Sequence, residues 1–534
     1  MKAAVTFLDA ALKAMPDAPD LRRRTFILRV IEGQIADSLP LARELLKSNP
    51  KAPIANLTLA VEALRQGDHA GLMKRFADGA DRGLNSFTQP LLEAWSLAGQ
   101  KNSAAALKAL GKLDGKEATQ GLHDVHQALI HDFFDDRKAQ ATYEELAKQE
   151  LAGSFRIVQH MAQFHERKGS PDKARALYDK MRADMPGTSL LDVADGRLKS
   201  NRKPAKILRS ASDGAAEALF SIANSLRRQR ARETALVLAR LALYLRPDFP
   251  IAMILVADIL EDDSRYAESN RIYAQVGKGS PYRVSADLSR AQNLDSLKQT
   301  DEAIALFRDV ADRRSHDSEP MTQLGNLLRR HERWEEAVVA YTKAIERVGL
   351  LEKHHWRMLY ARGVVLERAK RWPEAEKDFL RALEFEPEQP FVLNYLGYSW
   401  IDQGLNLDRA QDMIRRAVEL RPNDGYIIDS LGWGYYRLGK YEDAVKELER
   451  AIQIRPEDPI INDHLGDAYW RVGRELEARF QWQRSLTLEP PDDVAGKVRK
   501  KLEEGLGPVD ELKKPVESEA EPKAPQKQPE LKKI

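Results

Sequence analysis

Three stretches of this 534-residue sequence carry residue types able to do chemistry. The first is GKLDGKEA at 111–118, whose glycines and lysine suggest a phosphate-binding loop. Such a loop needs its lysine followed by Ser or Thr, whose hydroxyl holds magnesium while backbone N–H groups cradle the phosphates. Here Glu117 follows Lys116, the glycine spacing is wrong, and no strand pattern precedes the segment, so nucleotide chemistry is not expected. The second is HDVHQALIH at 123–131. His123 and His126 lie three apart, a spacing that suits a metal pair on a helix, with His131 roughly on the same side. No carboxylate is identified as completing the second shell, so the expectation is structural histidines and no metal.

The third stretch is basic. From Arg197 to Arg232 there are ten Lys or Arg against Asp213 and Glu217. Nucleic-acid binding predicts such a patch but also a stacking platform, and Phe220 is its only aromatic. A solvated loop, or a patch for an acidic protein or lipid headgroups, is the reading that remains. Triads are recognised by geometry, so none is argued from sequence. The chain has no cysteine, which excludes disulfides, thiolate zinc sites and a thiol nucleophile. The expectation is a protein that is not an enzyme and carries no cofactor.

With chemistry absent, what the sequence positions is shape. Three glycines, Gly432, Gly434 and Gly439, interrupt the helical pattern LGWGYYRLGKYEDA at 431–444, and each helix-interior glycine costs about 1 kcal/mol relative to alanine. The pattern returns 34 residues later as LGDAYWRVGRELEA and 35 earlier as LGYSWIDQGLNLDRA. In a 34-residue frame starting at Gly425, Gly432 takes position 8, Tyr435 position 11, Ala444 position 20, Leu448 position 24, Ala451 position 27 and Pro456 position 32. The unit from Pro459 repeats this with Gly466, Tyr469, Ala478, Trp482, Ser485 and Pro490. Further units start near 390, 356, 318, 284, 250 and 216, and weaker ones near 155, 120, 87, 53 and 19, about 13 in all. Small residues at 8 and 20 let two helices approach; large ones at 11 and 24 fill the layer between hairpins. Proline at 32 ends the second helix, and Gly439 supplies a left-handed turn between the two.

This pattern resembles the tetratricopeptide (TPR) repeat family over most of the chain. The resemblance implies an all-α, right-handed solenoid of helix-turn-helix units. Five segments follow: weak repeats at 1–188, a basic irregular insertion at 189–215, strong repeats at 216–491, a capping helix at 492–507 and a disordered tail at 508–534. In the capping helix, Asp492 or Asp493 caps, while Val494, Val498 and Leu502 share a face. The tail segment has five prolines and balanced charge. At the other end Ala4, Leu8, Ala11 and Pro16 fit positions 20, 24, 27 and 32. The first unit is thus expected to be truncated, with the natural product starting upstream of Met1 and the missing segment able to hold a sorting signal. The compartment reads as cytoplasmic from the sequence as written, and as periplasmic or outer-membrane-associated with such a segment. No run of 18 apolar residues is present to span a bilayer, and 84 basic against 82 acidic side chains give no global field.

In TPR proteins, positions 2, 5, 9, 12 and 13 of each first helix face the concave groove. Carried over, the resemblance nominates Phe391, Asn394, Tyr398 and Asp402; then Tyr426, Asp429, Trp433, Tyr436 and Arg437; then Asp463, Asp467, Trp470 and Arg471. Earlier in the array it nominates Asn326, Arg329 and Arg330, but Thr322 and Ala361 leave a chaperone-type carboxylate clamp incomplete. Residues 393–474 are further similar to outer-membrane TPR lipoproteins that bring cell-wall hydrolases to carboxyl-terminal processing proteases. That resemblance implies a protein-binding adaptor. The alternative is an envelope or polysaccharide-export scaffold that docks through its convex face and basic insertion.

Overall fold

The computed structural model describes residues 2–77, 83–115, 117–149 and 154–507. The expected disordered tail at 508–534 lies outside the described residues. Within them the chain is all α, without a strand, and its helices pack as consecutive antiparallel pairs. Examples are Pro250–Asp262 with Tyr266–Tyr273 and Gly425–Arg437 with Tyr441–Ile454. The helix Lys2–Ala14 precedes the pair Pro19–Ile31 with Ile35–Ser48.

The repeat residues act as their types dictate. A Cβ added at Gly432 would lie 2.6 Å from Leu448 Cγ, and one at Gly466 2.5 Å from Trp482 Cδ1. Gly325 and Gly363 meet Tyr341 and Phe379 in the same way, so position 8 is kept small by the large side chain at position 24. The turn between paired helices is left-handed at one recurring position. Gly439 has φ +75° and Gly473 φ +79°, and Lys298, Glu332 and Lys370 hold the same place at φ 56–64°. Pro250, Pro390 and Pro459 open their first helices, and the carboxylates of Asp424 and Asp458 accept from the next N–H groups.

Two compact units divide at Pro320 and Met321 rather than at the basic segment. The reason lies in the first unit. Its hydrophobic core runs unbroken through residues 26–130 and 208–260, because the hairpin Ala211–Arg228 with Arg232–Leu245 packs on the first helices of the N-terminal pairs. Gly214 lies against the Trp95 ring, where a Cβ would come within 2.2 Å. Arg240 Nε donates to the Ile31 carbonyl at 2.9 Å, and Tyr244 OH to Glu62 at 2.8 Å. The chain thus fills its own N-terminal groove.

The basic segment is the strap that brings this hairpin there. It holds a helix at Asp192–Lys199, an irregular run through 202–210, and then the long helix that begins at Ala211, five residues before the expected start of the strong repeats. Arg197 Nε donates to Glu166 at 2.7 Å, Lys206 Nζ to Asp135 at 2.6 Å, and Arg209 to Asp248 at 2.9 Å. Arg227 pairs with Asp258 at 2.9 Å and Arg232 with Asp263 at 3.6 Å. Half of the ten cations are therefore paired within the first unit. In the second unit, the helix Asp492–Glu504 covers the last pair as a cap.

Candidate partner-binding groove

The histidines singled out by spacing do not converge. Trp95 Nε1 donates to His126 Nδ1 at 3.1 Å, His123 meets Asp124 at 2.9 Å, and His131 meets Asp136 at 2.7 Å. Burial pushes the fully enclosed His126 down to about 4, so it stays neutral and serves as an acceptor. Among the described residues no group of three or more His, Asp or Glu is placed to hold a metal. The phosphate-loop-like glycine segment forms a short 3₁₀ turn at Gly111–Leu113, and Lys116 lies outside the described residues. Nearby, Glu217 of the self-inserted hairpin is buried. Burial opposes its charge, yet the Arg156 guanidinium and His160 hold its carboxyl far below the usual range.

The expected groove residues of the second unit fall on the first helices Glu319–Arg330, Trp356–Arg368, Pro390–Gln403, Gly425–Arg437 and Pro459–Arg471. At position 2, Phe391 and Tyr426 are 41 % and 52 % exposed, high values for aromatic rings. Each is braced by an arginine from the end of the following second helix. Arg421 lies 4.7 Å above the Phe391 ring and Arg455 5.0 Å above that of Tyr426. Asn394 is half-buried, and among the described residues its buried Oδ1 finds no hydrogen-bond donor. Tyr398 is half-buried beside Asp402, and burial pushes its hydroxyl up to about 12.

Trp433 is held from both sides, stacked on Tyr436 at 4.7 Å and on His464 at 4.0 Å. His464 Nδ1 lies 2.9 Å from Asp429. Burial disfavours the imidazolium there, but Asp429 outweighs it and raises the histidine's pKa. Arg437 donates to Asp402 at 2.7 Å. Further along the array, Tyr341 OH donates to Asn326 at 2.7 Å, Arg329 is half-buried near that hydroxyl, and Arg330 is exposed.

The four residues expected on the last first helix have a different fate. Lys501 of the cap donates to Asp463 at 2.7 and 2.9 Å and to Asp467 at 2.8 Å. Trp482 Nε1 donates to the other Asp467 oxygen at 2.9 Å. Trp470 packs under Gly505, and Arg471 Nη1 donates to the Gly507 carbonyl at 2.8 Å. Burial and the neighbouring Asp463 push Asp467 up to about 6. Phe391 and Tyr426 are thus exposed, Asn394, Tyr398, Trp433, Tyr436 and Arg437 are half-buried, and the last first helix is covered by the segment through Gly507. Sequence reasoning missed His464 and the bracing Arg421 and Arg455. Their signal was present as a polar residue at position 6 and as an arginine before each position-32 proline.

Family models of TPR repeats match parts of the chain. A model described as TPR repeat matches residues 434–473, and one described as Tetratricopeptide repeat matches 29–71 and 322–390. The chain is similar to the TPR repeat-containing protein PA4667 of Pseudomonas aeruginosa, 30 % identical over 194 residues, or 36 % of this chain. The match spans about a third of that relative's length, 32 %. Among solved structures it is similar to Cut9 in its complex with Hcn1 from the APC/C, at 15 % identity and TM-score 0.38 over 91 % of this chain and 96 % of the other. Yeast Tom70 gives 15 % and 0.36 over 91 % and 95 %. YrrB, a TPR protein with an unusual peptide-binding site, gives 21 % and 0.29 over 36 % and 97 %. TPR repeats form protein-interaction scaffolds, and no described helix is long and apolar enough to cross a membrane.

Proposed function

We propose that this chain, matched by TPR-repeat models over 29–71, 322–390 and 434–473, is a tetratricopeptide-repeat protein and a noncatalytic adaptor whose partner lies in the groove of the second unit. The observation that carries this is the pair Phe391 and Tyr426, exposed at the same position of consecutive repeats and each held flat by an arginine. Exposed aromatic rings with arginine are what interface hot spots are made of. Their bracing reduces the side-chain entropy lost when a partner binds. In this reading the partners are a carboxyl-terminal processing protease and its cell-envelope substrates, brought together on one array.

The test uses a photo-crosslinking residue at Phe391 or Tyr426 in native cells, with Glu442 on a second helix as control. Recovery of a processing protease or wall hydrolase at the groove positions only, lost in Phe391→Ala/Tyr426→Ala, is the expected result. Equal recovery at Glu442, or no loss in the double variant, would refute the groove assignment. The alternative, docking through the basic insertion, finds less support because half of that segment's cations are paired within the first unit.

A further inference from the structure

The layer between hairpins is left open at one place in the first unit. Position 11 holds Leu, Trp or Tyr in every unit from 216 onward, but in the unit from 53 it is Ala63. Ala63 lines a cleft of about 410 Å³ between the helices Ile35–Ser48, Pro53–Gln66 and His69–Ala77. Pockets that take small molecules run from about 300 to 1,000 Å³. The cleft belongs to the first unit, and none of its residues is a groove residue of the reading above.

Each helix turns one face to this cleft. Asn56, Leu59, Ala63 and Gln66 follow helical spacing on the middle helix, and Gly71, Lys74 and Arg75 do so on the last. The two carboxylates in the lining are already used. Glu62 accepts from Arg65 at 3.0 Å, from Tyr244 at 2.8 Å and from Gln66, and Asp68 accepts from the Gly71 N–H at 2.8 Å. The cations are in the opposite state. Among the described residues Arg43, Lys74 and Arg75 form no hydrogen bond or ion pair, although all three line the cleft. With Arg65 offsetting Glu62, these three positive charges stand against Asp68 alone.

That surplus suits a dianion. A carboxylate offers two oxygens, which one guanidinium can satisfy, whereas a phosphate monoester carries about −1.5 to −2 charge and three strong acceptor oxygens. The amides beside the cations are half-used. Asn56 Nδ2 donates to the Pro50 carbonyl at 2.7 Å and Gln66 Nε2 donates to Glu62, so each amide keeps its oxygen for a ligand hydroxyl. We propose that this cleft binds a small phosphorylated polyol, its phosphate on Arg43, Lys74 and Arg75 and its hydroxyls on the Asn56 and Gln66 amide oxygens. Held between helices of adjacent repeats, such a ligand stabilises the first unit by mass action.

The test titrates glucose 6-phosphate, glycerol 3-phosphate, inorganic phosphate and glucose into the full-length protein by calorimetry, at millimolar ligand and low salt. The expected result is one-to-one binding of at least one ester, weaker binding of inorganic phosphate and none of glucose. Lys74→Ala/Arg75→Ala should weaken ester binding by roughly tenfold or more. Ala63→Leu, which supplies the side chain common at position 11, should abolish binding while the free protein keeps its thermal midpoint. Lys108→Ala, at an exposed cation outside the cleft, should leave binding unchanged. No binding of either ester, equal loss in Lys108→Ala, or binding that survives Ala63→Leu would overturn the site. Inorganic phosphate bound as tightly as both esters would overturn the hydroxyl contacts. If Ala63→Leu lowers the midpoint, the double variant at Lys74 and Arg75 decides alone. None of these readouts involves partner capture, so the adaptor reading fails separately, through the Phe391 and Tyr426 crosslinks.

Discussion

Gly397→Ala separates close packing from helix propensity, because the two effects have opposite signs. By propensity alone, alanine in a helix interior is favoured over glycine by about 0.8–1 kcal/mol. Gly397 lies inside the helix Pro390–Gln403, but a Cβ there would sit 2.8 Å from the Ala410 carbonyl oxygen and 2.8 Å from Ile414 Cγ1. One of these is backbone, which cannot swing aside, and Ile414 is fully buried. The two helices must part by several tenths of an ångström, an overpacking cost of about 3 kcal/mol or more against typical values of 1–3. The net expectation is a loss of about 2 kcal/mol. Gly496 supplies the control. It lies inside the helix Asp492–Glu504 of the same compact unit with nothing within 4 Å of its would-be Cβ, so Gly496→Ala should gain about 0.5–1 kcal/mol. For a unit of this size, about 1 kcal/mol moves the midpoint by roughly 2–4 °C. Thermal unfolding followed by circular dichroism should then show Gly397→Ala lower by roughly 4–8 °C and Gly496→Ala raised by roughly 1–4 °C. If both variants rise together, glycine at position 8 is not a packing residue and the account of the repeat is wrong.

Acid should weaken the first unit through His126, whose pKa drops from 6.5 to about 4 in the folded state. The unfolded chain takes up this proton first, so the contribution is complete above pH 6.5 and is lost as pH falls toward 4, about 3 kcal/mol in all. Urea unfolding at pH 7 and 4.5 should show this loss, reduced in His126→Gln, and identical pH profiles for the two proteins would contradict it. At the other end, Lys501→Met leaves Asp463 and Asp467 facing each other in a buried site, at a cost of about 3–5 kcal/mol. Hydrogen exchange over 492–504 should accelerate at pH 8. It should recover partly at pH 5, where the carboxyl of Asp467, already pushed up to about 6, is protonated. Unchanged exchange at pH 8 would mean that the lysine does not hold the cap.

The repeat was legible because it is local. Gly432 against Leu448, Gly439 in the turn and the arginine–proline pair at 455–456 all act within one hairpin, so 34-residue spacing exposes each of them. The exposed aromatics at 391 and 426 were legible for the same reason. What spacing could not show was where distant segments return. Ala211–Leu245 reads as an ordinary unit, yet its Gly214, Arg240 and Tyr244 are chosen for Trp95, Ile31 and Glu62, more than a hundred residues earlier. The basic run looked like a surface patch because its acids, Glu166, Asp135 and Asp248 among them, belong to other repeats. Asp463, Asp467 and Trp470 looked like groove residues because the cap that uses them approaches only through Lys501 and Gly505.

These returns also bound the surface left for a partner. The N-terminal groove is filled by a hairpin that shares its hydrophobic core, and a bound protein would have to replace that whole core contact. The last repeat is closed by a cap with a half-buried lysine between two buried aspartates. On the proposed groove reading, the interval left in the second unit runs from Glu319–Arg330 to Gly425–Arg437, four first helices in succession. At about 8–10 Å per helix this offers roughly 30–40 Å, the length of about ten extended residues or of a helix of about 20–25. Phe391 and Tyr426 stand on neighbouring helices near one end of that interval, about three extended residues apart for a bound segment. A partner that anchors apolar side chains on both therefore carries them at i and i+3 if extended, and at i and about i+6 or i+7 if helical. That spacing is the signature to look for in whatever sequence the groove crosslinks recover.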